Sequence, residues 1–458
     1  MKHAINVKTG LLFFLFNLIL VVSCQKKNES PGQQGEFSIW ANRNSEHGHL
    51  KQTKTFSADG AQKWHDLQLR ILRISGANPY SLNGNRYFAY CGIGLYESVV
   101  PGMPAYRSLH GQLTNMPAMP PTEPGKAYHW PTCANAALAF LTKSFYTLAS
   151  ATIKAAMDSL DIALKNEYQQ QTNTAIFQRS ENFGKQVAES IFEWSKTDGA
   201  LTAWPAYVPS SDPTKWLPTA PNPTTVNAPY WGYNRFFVPG STNNTASPPP
   251  PPYSTDPNSA YFQMVKEVYD ISQTLTPAQI ATALYFRDNP GFQAGTHYQY
   301  IFNQVIDDES PQLDFYASAQ AKVGIAIAES QIDCWKKKYD LIVDRPTKYI
   351  RNVMGHTGWT SLLAMPNHPD FPSGHSQTGG AFAAAMTHLF GDNYAITLHT
   401  YDNLGMAPRF YSSFSEMTED IGRSRVYGGI HYTYSCVEGQ KQGEKIGANI
   451  LNKLKFLK

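Results

Sequence analysis

Three short segments near the carboxy terminus gather residues that can hold and transform an oxyanion. The first is Lys338-Tyr339-Asp340-Leu341-Ile342-Val343-Asp344-Arg345-Pro346. Seven residues make almost two helical turns, so Lys338 and Arg345 are expected on one helix face, with Pro346 ending the helix and fixing the arginine there. The second is Phe371-Pro372-Ser373-Gly374-His375-Ser376. It sets Ser373, a flexible glycine and His375 at the start of a helix, where free N–H groups and the positive end of the dipole favour an anion. The third, Ser424-Arg425-Val426-Tyr427-Gly428-Gly429-Ile430-His431, adds a second guanidinium and bends at the glycine pair so that His431 reaches the same point. A lone lysine on a helix, a lone Ser-Gly-His cap or a lone histidine has a bland structural explanation. All three segments in order are far more specific, and together they supply an oxyanion cage.

The elements that must position them read as helices. Apolar and small residues recur at three- and four-residue intervals over 60–77, 85–99, 131–148, 152–168 and 174–194. Further helices are expected over 258–272, 277–287, 313–343, 375–389, 414–427 and 432–454, with Ser413 to Glu416 as a capping box. Between them, 202–257 is crowded with Pro, Asn, Ser and Thr and contains five consecutive prolines from Pro248 to Pro252. Such a stretch is neither helix nor central strand. Its aromatic interior, Tyr230 to Phe237, argues that part of it packs on the body. No glycine fingerprint follows a strand, which disfavours a dinucleotide fold. The expected class is all-α, with a long proline-rich loop wrapped over the helices.

Composition narrows the partners. The chain has 458 residues, 42% hydrophobic and 16% charged, with 38 basic against 35 acidic residues and a net charge of +3. That balance gives no support for a nucleic-acid-binding surface. Lys2 and Lys8 precede an apolar run from Leu11 to Val22 that ends in Ser23-Cys24. A basic end, an apolar stretch too short for a comfortable bilayer span and a small residue before the cut describe an export signal over 1–23. It resembles a bacterial lipoprotein signal, which implies a lipid on Cys24, a flexible tether over 24–54, and a protein facing the periplasm or cell exterior. Cys91, Cys133, Cys334 and Cys436 lack paired metal-ligand spacing. A bridge between Cys334 and Cys436 and four buried free thiols are both open.

The three segments resemble the signature shared by vanadium-dependent haloperoxidases and type-2 phosphatidic acid phosphatases: Lys, six residues, Arg-Pro; Pro-Ser-Gly-His; Ser-Arg, five residues, His. All three parts match without a gap. The resemblance implies a single large helical domain over 55–458, built as two four-helix bundles with only the second active: helices over 55–200, the loop over 201–257 and a catalytic bundle over 258–458. It implies that Lys338, Arg345 and Arg425 neutralise the oxygens of vanadate or phosphate, and that the Ser373 hydroxyl and Gly374 N–H donate to them. His431 would be the axial group, a nitrogen ligand to vanadium or a nucleophile toward phosphorus, and His375 the acid–base partner opposite it.

Four features bear on which chemistry is run. Trp335 lies one turn before Lys338, where haloperoxidases of this family resemble one another in placing a tryptophan. His368 lies seven residues before His375, at a position that looks like the one where bromoperoxidases carry histidine and chloroperoxidases phenylalanine. Residues 55–334 precede the first segment, far more than the compact phosphatases resemble, and this discriminates best. Asp288, in Phe286-Arg287-Asp288, looks like the acid that salt-bridges an anion-site arginine. One departure stands out: Ser435 occupies the position, four after the final histidine, where the family usually has aspartate. A serine there is a weaker, uncharged partner, which would harm a nucleophile more than a vanadium ligand. The expected function is oxidation of iodide and bromide by hydrogen peroxide with vanadate as cofactor; the alternative is an extracytoplasmic acid phosphatase using His431.

Overall fold

The computed structural model describes residues 35–36, 51–73, 82–219, 225–289 and 291–458. The expected leader over 1–23, Cys24 and most of the tether lie outside these residues. The helices that follow are α1 (Asp59–Leu72), α2 (Asn83–Val99), α3 (Trp130–Phe145), α4 (Ala151–Gln171) and α5 (Thr174–Ser195). After the long loop come α6 (Ala260–Gln273), α7 (Pro277–Tyr285), α8 (Ala294–Glu309), α9 (Leu313–Leu341) and α10 (Pro346–Asn352). The chain closes with α11 (Gly374–Phe390), α12 (Phe414–Tyr427) and α13 (Thr433–Lys453), plus a small antiparallel pair, β1 (Ile396–Leu398) and β2 (Arg409–Tyr411).

Helix α9 joins the two halves. It is buried from Leu313 to Trp335 and packs on α2 of the first group and on α11 and α13 of the second. A helix enclosed on all sides needs no polar face, which is why its sequence shows little amphipathic contrast. One continuous apolar core therefore runs from Trp64 and Tyr90 through Ile325 to Phe382 and Ile450.

The carboxy-terminal group rests on an unusually close contact between α11 and α13. A Cβ added at Gly443 would lie 1.9 Å from the Gln377 carbonyl oxygen, and one at Gly380 would lie 2.1 Å from that of Gln440. Since backbone cannot swing aside, Gly443→Ala must push the two helices apart. The expected result is a loss of about 1–3 kcal/mol or more, the usual range for overpacking, seen as a lower melting temperature; an unchanged melt would contradict it.

Among the described residues the proline-rich loop forms turns, including a tight helical one at Trp231–Tyr233, and it is pinned at defined points. The buried Glu329 carboxylate on α9 accepts the backbone N–H groups of Phe237 (2.5 Å) and Val238 (2.9 Å). Burial pushes that carboxyl up to about 7. Farther on, the Tyr434 hydroxyl donates to the Pro248 carbonyl at 3.2 Å. Packed aromatic anchors and backbone satisfaction make this segment part of the body.

Two expectations need correction. Lys338 and Arg345 do not share one helix: α9 ends at Leu341, where Ile342 turns left-handed (φ 50°) and donates its N–H to the Lys338 carbonyl. Pro346 then begins α10 at its first position, with Arg345 as the residue before it. Ser413 does cap α12 by accepting the Glu416 N–H, but the Glu416 carboxylate reaches Ser412 instead of closing a reciprocal box. Helices α8 and α10 were not foreseen. Gln293 offers α8 no side-chain cap, and α10 is only seven residues long. All four described cysteines are buried free thiols, so Cys334 and Cys436 are not bridged.

Candidate active site

A cavity of about 80 Å³ lies among α2, α9, α11 and the turn after α12, with Trp335, His368, Gly374, His375, Arg425 and His431 in its wall. Gly374 is the first residue of α11, so the positive end of that helix dipole faces the cavity. Asp288 also lines it and is partly exposed.

The Arg425 guanidinium donates to the Phe286 carbonyl at 2.6 Å and lies 3.6 Å from the Asp288 carboxylate. The other oxygen of Asp288 is 3.3 Å from His375 Nε2. Burial and the nearby Arg425 hold His375 below its ordinary value, while Asp288 opposes them. The imidazole is therefore neutral at pH 7 and aligned by a carboxylate. Asp288 thus stands between the arginine and the histidine, and ties both to the end of α7.

Lys338, Arg345 and Ser373 do not line the cavity; they stand behind its wall. Lys338 is fully buried and donates to three carbonyls of one loop, those of Pro369 (2.9 Å), Asp370 (2.8 Å) and Pro372 (2.5 Å). Burial pulls its ammonium down to about 8. Arg345 donates from Nε to the His368 carbonyl at 2.7 Å, from Nη1 to the Ile430 carbonyl, and from Nη2 to His368 Nδ1 at 3.1 Å. It therefore fixes the residue beside His431 as well as the His368 ring, which lies 5.2 Å from the Trp335 ring. Ser373 Oγ caps α11 by accepting from the Ser376 N–H and hydroxyl.

His431 follows a left-handed turn at Gly429 (φ 71°), which supplies the expected bend. Burial first, then the charges of Arg345, Lys338 and Arg425, hold its imidazole well below the ordinary value. All three cations therefore act on this one ring. Its Nδ1 donates to the Asp370 carboxylate at 2.8 Å, which leaves the Nε2 lone pair available as a ligand or nucleophile.

Asp370 was not foreseen, although it lies only three residues before Ser373. It is fully buried and also accepts a bond from the Ser435 hydroxyl. The reading of Ser435 as a weak, uncharged partner of His431 is thereby corrected: the histidine has a carboxylate, delivered by another segment. The preference for peroxidase over phosphatase drawn from that serine falls with it. Leu82 and Asn85 of the first helical group also line the cavity and were missed, because nothing in α2 resembles a motif.

The wall suits an oxyanion. Three buried cations, Lys338, Arg345 and Arg425, meet two carboxylates, Asp370 and Asp288, and the excess positive charge is costly until an anion joins it. Arg425 Nε and Trp335 Nε1 are buried donors without a hydrogen-bond partner. Vanadate or phosphate oxygens are the acceptors that such donors and such charge would accommodate.

Residues 319–457 match the family model of the VCPO second helical-bundle domain. The crystal structure of the first bacterial vanadium-dependent iodoperoxidase superposes with a TM-score of 0.79 at 28% identity, covering 91% of this chain and 99% of that one. The chain has the vanadium-haloperoxidase fold. A holo-type bacterial vanadium-dependent chloroperoxidase shares it at a TM-score of 0.62 and 17% identity, over 92% of this chain and 97% of the other. A curated vanadium-dependent bromoperoxidase from Ascophyllum nodosum is 28% identical over 99 residues, 19% of this chain and 18% of that protein. The match thus spans less than a fifth of the curated relative's length.

Proposed function

We propose that this chain is a vanadate-dependent haloperoxidase that uses hydrogen peroxide to oxidise iodide and bromide. The observation that carries the reading is a cavity lined by Arg425, His375 and His431, with Lys338 and Arg345 bonded to the segments that frame His431, whose Nε2 is left available by the Nδ1 bond to Asp370. The same arrangement would accept a phosphoryl group. The likeness over 91% of the chain to a structure described as an iodoperoxidase favours the peroxidase and iodide. Export and lipid attachment at Cys24 are part of the proposal, supported by the leader sequence alone.

Vanadate held here would supply a Lewis acid that draws charge from peroxide oxygen and opens it to attack by halide. The protein's share is binding and proton handling. His431 Nε2 would be the nitrogen that holds the vanadate. Arg425, the Gly374 N–H and the Trp335 indole would meet the oxygens, with Lys338 and Arg345 adding positive charge from behind. His375, oriented by Asp288, would take the proton from incoming peroxide and return it to the departing oxygen. Two assays separate the readings. The peroxidase needs added vanadate and peroxide to oxidise iodide; a phosphatase would cleave p-nitrophenyl phosphate without vanadate and be inhibited by it.

His368 sits where a halide would approach, against Trp335 and held by Arg345. Burial, then Lys338 and Arg345, keep it well below its ordinary value and therefore neutral. His368→Phe removes the acceptor for Arg345 and makes the wall apolar. The expected result is a shift of about tenfold in the bromide-to-iodide ratio of kcat/KM, the scale of one altered pocket contact. An unchanged ratio would remove His368 from the halide pocket.

A further inference from the structure

We propose that Asp370 is the positioning carboxylate of His431, and that Ser435 serves this carboxylate instead of the histidine. Asp370 sits where the three chemical segments meet. Its backbone N–H donates to the Val343 carbonyl at 3.0 Å, in the turn that carries Arg345. Its carbonyl accepts from Lys338 Nζ at 2.8 Å. One carboxylate oxygen accepts from His431 Nδ1 at 2.8 Å, and the other accepts from the Ser435 hydroxyl. The Ser435 carbonyl in turn receives the Ser373 N–H at 3.0 Å, which ties α13 to the start of α11. The side chains of residues 370 and 435 therefore converge from opposite segments on one point beside the imidazole.

That point holds one carboxylate and one hydroxyl. A carboxylate there fixes the ring orientation and keeps the proton on Nδ1, so that Nε2 faces the cavity as a lone pair. Either segment could supply it, but two carboxylates in this buried position would repel one another. Asp370 and Ser435 are thus read as an exchanged pair, and the serine closes the second oxygen of the aspartate.

The proposal rests on the anion-site reading for its binding readout, but its structural core can be tested without any anion. In the wild-type holoprotein and in metal-free protein, ¹⁵N NMR of the His431 ring should show the proton on Nδ1. In Asp370→Asn that signature should be lost or mixed, and orthovanadate affinity measured by equilibrium dialysis should fall by about 10–100-fold, as for other groups behind a metal-bound histidine. Ser435→Ala should cost less than Asp370→Asn. Asp370→Ser should weaken binding, and adding Ser435→Asp to it should recover most of the affinity and the tautomer. Ser435→Asp alone, with Asp370 in place, should weaken binding. An unchanged tautomer and affinity in Asp370→Asn would overturn the assignment, and a double variant no better than Asp370→Ser would overturn the exchange. If the wild type retained no vanadate, the function reading would fail while the tautomer result still decided the role of Asp370.

Discussion

Replacing His431 by alanine is expected to raise the vanadate dissociation constant by about 100-fold or more and to remove halide oxidation at micromolar vanadate. Loss of a group behind a metal-bound histidine costs roughly 10–100-fold, and loss of the ligand itself must cost at least as much. The three cations would remain, so weak retention of the anion should persist and should be sensitive to salt. Alanine also leaves the Asp370 oxygen that accepts from the imidazole without that bond, with only the Ser435 hydroxyl on the other oxygen, which by itself destabilises the fold. His431→Gln keeps an amide donor for that carboxylate and serves as the companion variant. Equal vanadate loss in both, with a near-normal melt for the glutamine protein, would place the effect in ligation. Full activity in either protein would remove His431 from the site.

The second large effect is expected at His375. His375→Ala should lower kcat for iodide oxidation by about 10²–10⁴-fold, the usual share of a general acid–base group, while vanadate affinity changes by less than about tenfold. The split follows from the geometry: the ring lines the cavity, yet its hydrogen-bonding partner is Asp288 rather than the cations behind the wall. Its pH dependence has a defined sign. Burial and Arg425 lower the imidazole, so the neutral base persists below its ordinary titration range and activity should fall only on further acidification. Asp288 acts in the opposite direction, so Asp288→Asn should move the acid limb of the kcat profile to lower pH. A limb that moved upward, or a His375→Ala protein with unaltered kcat, would contradict the role.

Much of this site was legible because its chemistry is carried by contiguous segments. Pro-Ser-Gly-His writes both the helix start and the residues placed there, and Gly428-Gly429 announces the bend before His431. The pattern was less informative about how Lys338 and Arg345 are presented. Spacing alone suggested one continuous helix, whereas the left-handed Ile342 breaks it and sends the arginine to the start of α10. Ser373 also caps α11, a role that its place directly before the helix makes legible.

Asp370 shows where a linear reading ends. The expectation that the partner of His431 should lie four residues later treats the contact as local, as it is along a helix. The contact is made across 61 residues, and the deciding fact is the three-dimensional closure of a loop held by Lys338. Similarly, Asn85 reaches the cavity from α2 because α9 packs against both helical groups, and no local motif records that. The aromatic interior of the long loop signals that it packs, whereas its attachment to Glu329 is made by backbone N–H groups and leaves no mark in the sequence.

The most direct test is a titration of chelator-stripped protein with orthovanadate at saturating peroxide, following iodide oxidation. Activity should rise from near zero and saturate at about one vanadate per chain, as one cavity with one ligating histidine requires. Absence of iodide turnover at every vanadate concentration, with the protein folded and the anion bound, would contradict the haloperoxidase reading.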